Sequence, residues 1–254
     1  MKTLLLIGIG AGHPDHLTVQ AIKALNRAEV IFLMDKGPAK EPLNRLRREL
    51  CERYLTDRPY RLVEAPSPER QRAGIAYLDA VEHLNADKQQ RFEQLIAEAL
   101  DEGQCGAFLV WGDPCLYDST SRILDAILRS GRLLFEYEVI PGISSVQALA
   151  ARHKVPLNNI GQPVMITPGR RLTQALAAQV DSLVVMLDAD NRYQALVDQD
   201  LEIYWGAYVG TPDEILVSGR LGDVAEEIER VRTQAREAKG WIMDTYLLKR
   251  PARR

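Results

Sequence analysis

Apolar residues along this chain follow two rhythms: some form short unbroken runs, and others recur every three to four positions between polar ones. Residues 4–9 are apolar throughout apart from Gly8, which predicts a strand buried on both faces. Val19, Ile22 and Leu25, with Ala21 and Ala28 behind them, then repeat at helical spacing across residues 17–28. Residues 30–34 predict a second buried strand, which Asp35-Lys36-Gly37-Pro38 ends with a loop signal. Leu43, Leu46 and Leu50 mark a further helix. Residues 69–101 are polar and helix-rich, with Phe92, Leu95, Ile96 and Ala99 as an apolar stripe.

The same rhythm continues. Residues 107–111 predict a strand running into Gly112-Asp113-Pro114. A helix over 119–129 leads to a strand over 133–140 and the turn Pro141-Gly142-Ile143-Ser144-Ser145. Strands alternating with helices imply parallel pairing, with helices on the sheet faces. The segment 153–162, carrying Pro156, Asn158, Asn159 and Gly161, reads as a linker. Strands are expected at 164–167, 183–187, 203–209, 215–217 and 241–247, with short helices between them. Their spacing is too close for helical crossovers throughout, so the second sheet is expected to be mixed. The pattern predicts two α/β domains, 1–157 and 158–254.

Composition narrows the function classes. At 46% hydrophobic and 26% charged, the chain has the makings of an ordinary globular core. Its 32 basic and 35 acidic residues give a net charge of −3, which argues against a nucleic-acid binder. Cys51, Cys105 and Cys115 are widely spaced and suggest neither a disulfide framework nor a thiolate zinc site. His13 and His16 lie three apart with no third ligand nearby, so no metal is expected. The N-terminal apolar run breaks at once into glycines rather than a cleavage site, and no stretch approaches the ~20 apolar residues of a membrane span. A cytoplasmic protein without membrane partners is the expectation.

Glycine- or proline-containing turns follow four of the apolar runs, at residues 8–14, 112–114, 141–145 and 168–171. Ligands of open α/β sheets gather beyond the carboxyl ends of strands, where glycine lets backbone N–H groups approach closely. A small-molecule site is therefore expected. Gly8-x-Gly10-x-Gly12 between a strand and a helix, with Asp35 ending the next strand, invites a dinucleotide reading. The third fingerprint glycine is replaced by His13, however, and Pro14 follows. On these residues alone, a dinucleotide-dependent oxidoreductase and a purely structural turn both stay open.

Taken in order, the motifs resemble a known family. Ile7-Gly8-Ile9-Gly10-Ala11-Gly12-His13-Pro14-Asp15-His16-Leu17-Thr18, Val110-Trp111-Gly112-Asp113-Pro114-Cys115-Leu116-Tyr117, Val139-Ile140-Pro141-Gly142-Ile143-Ser144-Ser145 and Thr211-Pro212-Asp213-Glu214 are similar to successive segments of the tetrapyrrole (corrin and porphyrin) methylases. The resemblance implies two α/β domains with a cofactor and substrate cleft between them, a homodimer, and S-adenosyl-L-methionine as methyl donor. It assigns Gly112, Asp113, Tyr117, Ser144, Ser145, Met186 and Val209 to the cofactor. It turns the first loop, with Gly10, Ala11 and Gly12, toward the tetrapyrrole.

Many members carry Pro-Gly-Asp in that loop, where this chain has Ala11-Gly12-His13, and the stretch before Gly112 is longer here. Together with Asp35-Lys36-Gly37, the 46–51 helix and the ending Lys239-Gly240-Trp241-Ile242-Met243-Asp244-Thr245-Tyr246, these features resemble one branch of the aerobic cobalamin pathway. That branch implies methylation at C-1 of precorrin-5, with the extruded acetyl group leaving as acetate. Methylation at another corrin-ring carbon or of uroporphyrinogen III is the alternative within the family. A module that binds tetrapyrrole without turnover is the alternative outside catalysis.

Methyl transfer from a sulfonium is an in-line displacement served mainly by positioning. A base is wanted only for acetyl loss or a ring proton. His13, Asp15 and Tyr117 are the catalytic candidates, with His13 first because it departs from the common loop pattern. A polycarboxylate substrate calls for cations, and Lys36, Arg170 and Arg171 are the candidates beside Asp35.

Overall fold

The computed structural model describes residues 1–35, 37, 40–68 and 77–251, and the side chains of these apart from residues 77–83. Its contacts divide the chain into two units. One contains Met1–Gly10 and Pro14–Ile143, and the other contains Ala11–His13 and Ser144–Arg254.

The first unit is built on β1 (Lys2–Gly8), β2 (Val30–Asp35), β3 (Arg61–Pro66), β4 (Cys105–Val110) and β5 (Phe135–Ile140). They form one sheet in the order β3-β2-β4-β1-β5, and every pairing is parallel. β1 is central and buried on both sides, which explains its unbroken apolar run. Leu5 and Ile7 face a core shared with α1 (Val19–Leu25) and α2 (Glu41–Tyr54). Leu4 and Leu6 face the opposite core, with α3 (Tyr77–Ala99) and α4 (Thr120–Ser130). β3 was not anticipated from the pattern. It lies at the sheet edge with only Ala65 buried, so charged residues interrupt the apolar run that marks a central strand.

The second unit holds α5 (Ser145–His153), β6 (Val164–Pro168), α6 (Gln174–Ala177), β7 (Ser182–Met186), β8 (Glu202–Ala207), β9 (Ile215–Arg220), α7 (Leu221–Lys239) and β10 (Asp244–Lys249). The sheet order is β6-β7-β10-β8-β9. β6 and β7 are parallel and the other pairings antiparallel, which is the mixed sheet expected.

Three expectations need correction. The boundary expected at 157/158 falls later than the observed division, because α5 packs on β10 and β8 of the second sheet. His153 at the end of α5 also donates from Nε2 to the Trp205 carbonyl at 3.0 Å. The connections in the second half are not all short helices, since α7 runs for 19 residues until Gly240 caps it in the left-handed region. The final strand begins at Asp244 rather than 241, because Trp241 is held back by its carbonyl, which accepts from the Tyr208 hydroxyl. Among the described residues, no helix is long and apolar enough to cross a membrane.

Candidate functional site

In the first unit the carboxyl ends of β1, β4 and β5 meet backbone to backbone. A methyl carbon on Gly142 would lie 2.2 Å from the Gly112 carbonyl oxygen and 2.8 Å from the Gly8 Cα. One on Gly8 would lie 2.6 Å from the Gly142 nitrogen. The absence of side chains at Gly8 and Gly142 is what lets the strand ends close on the Gly112 carbonyl. Gly10 and Gly112 exchange backbone hydrogen bonds at 3.3 and 2.8 Å, and the Ile9 N–H donates to Val110 at 2.9 Å. The amides of Ile9 and Gly10 are thus spent on β4 and its loop. A phosphate cradle needs such amides free, so the geometry disfavours the dinucleotide reading.

Asp113 is the clasp of this edge. Its Oδ1 accepts from the Cys115 N–H at 2.8 Å, and its Oδ2 accepts from the Gly142 N–H at 2.8 Å. One carboxylate therefore fixes its own turn and ties the β4 loop to the β5 loop. Tyr117 follows in the left-handed region at φ 56° and is exposed. Asp15 lies in a short 3-10 turn, where its Oδ1 accepts from Arg53 at 2.8 Å and from the Tyr54 hydroxyl at 3.2 Å. Asp35 ends β2, and its Oδ1 accepts from the Gly37 N–H at 2.9 Å. Lys36 lies outside the described residues.

In the second unit, buried Ser144 caps α5. Its hydroxyl accepts from the Val146 N–H at 3.1 Å, and Gln147 Oε1 returns to the Ser144 N–H at 3.2 Å. Ser145 opens the helix, half-buried. The structure brings Gly12 against the late turn. Its φ is +142°, and a methyl carbon there would lie 2.5 Å from the Thr211 methyl and 3.0 Å from the Val209 carbonyl oxygen. Ala11 is buried beside it, and His13 is exposed. Arg170 and Arg171 are exposed in the turn after β6. Met186 ends β7, half-buried.

The positioning roles of Glu214, which closes the late Thr211-Pro212-Asp213-Glu214 motif, and of Asp188, Arg232, Asp244 and Arg47 were not read from the sequence. Glu214 accepts from the Gly210 N–H at 2.8 Å through one oxygen and from Arg152 on α5 at 2.6 Å through the other, which holds the Val209 turn. Buried Asp188 accepts from the Arg192 N–H and the Tyr246 hydroxyl, both at 2.7 Å, just beyond Met186. A methyl carbon on Gly169 would lie 2.6 Å from the Asp188 Cα, so the β6 and β7 turns are packed together. Arg232 donates to the Asp188 carbonyl and to Asp244, both at 2.7 Å, and Asp244 also accepts from the Trp205 indole at 3.2 Å. Burial pushes the Asp244 carboxyl up, and the Arg232 guanidinium opposes this. Arg47 belongs to a separate cavity of the first unit. Isolated residues such as Asp188, Arg232 and Arg47 carry no motif; only the fold reveals what they hold.

The fold presents features suited to S-adenosylmethionine. Leu187, directly after Met186, is held in the left-handed region at φ 55° with its apolar side chain 61% exposed, and Ile166 on neighbouring β6 is also exposed. Apolar side chains turned outward at a strand edge are what an adenine ring packs against.

Residues 3–225 match the family described as Tetrapyrrole (Corrin/Porphyrin) Methylases. The chain is 48% identical over 252 residues to a precorrin-6A synthase [deacetylating] of Sinorhizobium sp, covering 99% of this chain and 97% of that one. It is also similar to the crystal structure of a putative cobalamin synthesis related protein (CobF) from Corynebacterium diphtheriae. The TM-score is 0.82 at 35% identity, over 98% of both chains. A uroporphyrin-III C-methyl transferase from Thermus thermophilus, solved with S-adenyl homocysteine, shares the fold at TM-score 0.58 and 21% identity, over 97% of both chains.

Proposed function

Since the chain belongs to the tetrapyrrole (corrin/porphyrin) methylases, we propose that it is the S-adenosylmethionine-dependent C-methyltransferase that converts precorrin-5 to precorrin-6A, methylating C-1 and releasing acetate. The observation that carries this is the 48% identity to a precorrin-6A synthase [deacetylating] along 99% of the chain. When bound, S-adenosylmethionine supplies a methyl group on a sulfonium.

The residues proposed to hold it are Gly112, Asp113, Tyr117, Ser144, Ser145, Met186 and Val209. Asp113 acts mainly by fixing the Gly112 and Gly142 loops, and Ser144 by capping α5 so that the helix starts at a defined place. Glu214 and Asp188 do the same for the Val209 and Met186 turns. Gly10, Ala11, Gly12 and Asp35 are proposed to shape the tetrapyrrole site, with Lys36, Arg170 and Arg171 supplying positive charge for its carboxylates. His13 is the proposed proton acceptor for acetyl loss. Asp15 is the weaker candidate, because Arg53 and Tyr54 already engage its carboxylate. A cytoplasmic homodimer completes the proposal.

Calorimetric titration with S-adenosylhomocysteine, with NADH as control, tests the reading. One site per chain for S-adenosylhomocysteine, weakened in Asp113→Ala, is expected. Binding of NADH instead would overturn it. Incubation with precorrin-5 and S-adenosylmethionine should then yield acetate and methylated product in equal amounts.

A further inference from the structure

The sheet of the first unit splits between β2 and β4. β2 pairs with β4 only from Val30↔Gly106 to Phe32↔Phe108, yet it stays paired with β3 as far as Asp35↔Pro66. β4 stays paired with β1 as far as Val110↔Gly8. The chain leaves β2 outward to β3 through α2, and leaves β4 in the opposite direction to β5 through α4, on the other face. Adjacent strands whose connections diverge in this way open a crevice beyond their carboxyl ends, where α/β sheets take ligands. Here the crevice is a cavity of about 120 Å³.

Its lining has two characters. Phe108 stacks between Phe32 and Phe92, with centroids 4.7 and 4.6 Å apart, and gives the cavity an apolar wall. Arg47 and Lys88 bring positive charge to it. The Arg47 guanidinium spans the split, donating from Nε to the Leu109 carbonyl at 2.9 Å and from Nη1 to Leu43 at 3.0 Å. Burial pushes its pKa down to about 10, which leaves it charged at neutral pH. Burial also lowers Lys88; the charge of Asp118 opposes this and that of Lys40 adds to it. Among the described lining residues the one carboxylate is Asp118, whose Oδ1 accepts from the Thr120 N–H at 2.7 Å. Trp111 lines the same cavity, and its indole N–H is buried without an acceptor among the described residues.

Two half-buried cations against one carboxylate, an unmatched N–H and an aromatic wall call for a small anion with an aliphatic part. We propose that this cavity is a binding site for a short aliphatic carboxylate, with Arg47, Lys88 and Trp111 as donors and the stacked phenylalanines as the wall for its carbon chain. The cavity's own residues set its chemistry; the source of the carboxylate rests on the methylase reading. Under that reading it is either a carboxylate arm of the tetrapyrrole or the acetate set free.

The test titrates the whole chain with acetate, propionate and sulfate, followed by calorimetry and by saturation transfer to the ligand protons. Propionate should bind at one site per chain and more tightly than sulfate. The affinity should fall about tenfold or more in Lys88→Met and in Arg47→Lys, as loss of a charged hydrogen bond predicts. Should Arg47→Lys fail to fold, Lys88→Met decides alone. Absence of propionate binding to the wild-type chain, unchanged affinity in Lys88→Met, or sulfate binding as tightly as propionate would each overturn the proposal.

An S-adenosylhomocysteine titration of the same sample keeps the two readings apart. Propionate bound without S-adenosylhomocysteine removes the methylase reading and supports the cavity, and the converse removes the cavity alone. In turnover, acetate that competes with the tetrapyrrole assigns the site to a carboxylate arm. Acetate that inhibits without competing assigns it to the released product.

Discussion

The two units hold their strand-end turns mainly by different means, although Gly169 also packs closely on Asp188 in the second. In the first, Gly8, Gly112 and Gly142 press main chain against main chain, and the single carboxylate of Asp113 clasps two of the loops. In the second, the Met186 turn rests on Asp188, which answers to Tyr246 and Arg192, while Arg232 binds the Asp188 carbonyl and Asp244. A backbone-built edge is rigid because its atoms have nowhere to go, and it tolerates no added carbon. A side-chain-built edge depends on buried polar groups being fully partnered, and it weakens one hydrogen bond at a time.

The sharpest way to break this contrast is Gly142→Ala. The added carbon would sit 2.2 Å from a backbone oxygen that cannot move independently, so the strand ends must part. A loss of about 2–3 kcal/mol in urea-unfolding stability is expected. Gly131→Ala is the control: unlike Gly142, that residue has open space around it and a left-handed φ of 68°, so only the conformational cost of about 1 kcal/mol should appear. Equal losses in the two variants would mean that the backbone contact is not what holds the first edge.

The same contrast explains what could be read in advance. Glycine motifs at 8–12, 112–114 and 141–145 were visible because a backbone-packed edge can be made only from a few residue types, and these repeat in a fixed order. The buried strands were visible because β1 and β4 are covered on both faces. β3 was not, since an edge strand with charged Arg61 and Glu64 breaks the apolar run. The support that Asp188, Arg232 and Asp244 give the Met186 turn was not legible in sequence, because nothing local distinguishes a buried acid from a solvated one. Their role comes from burial, which brings Arg232 on α7 to Asp244 on β10. The linker reading of 153–162 holds from 154 onward but takes in His153, which ends α5 and whose Trp205 partner lies 52 positions away.

A milder intervention suits the second edge. Tyr246→Phe removes the hydroxyl that donates to Asp188 Oδ2 at 2.7 Å and leaves the ring packed against Tyr193. Asp188 keeps its bonds from the Asp190 and Arg192 N–H groups. A loss of about 1.5 kcal/mol is expected, the range for a hydrogen bond to a charged acceptor. Thermal unfolding of the variant checks it; a change as large as that of Gly142→Ala would show that the second edge is as brittle as the first.

The smallest effect should come with pH and should sharpen the contrast, because it originates in the side-chain-built unit. Burial holds the His153 imidazole below its ordinary pKa of 6.5, although its bond to the Trp205 carbonyl and the charge of Glu214 oppose the shift. As pH falls through 6.5, the unfolded chain takes up this proton before the folded chain does. The contribution of His153 is therefore complete above pH 6.5 and lost as pH falls through the lower folded pKa. Urea midpoints of the wild type and His153→Gln, taken from pH 7.5 down to 5.5, should show a steeper decline in the wild type. Trp205, whose carbonyl binds His153, also donates its indole N–H to Asp244. A strand that links the histidine to the buried acid in this way can pass acid sensitivity into the network supporting the Met186 turn. Parallel slopes for the two proteins would show that His153 is solvated in solution, and that the polar network of the second unit ends before it reaches α5.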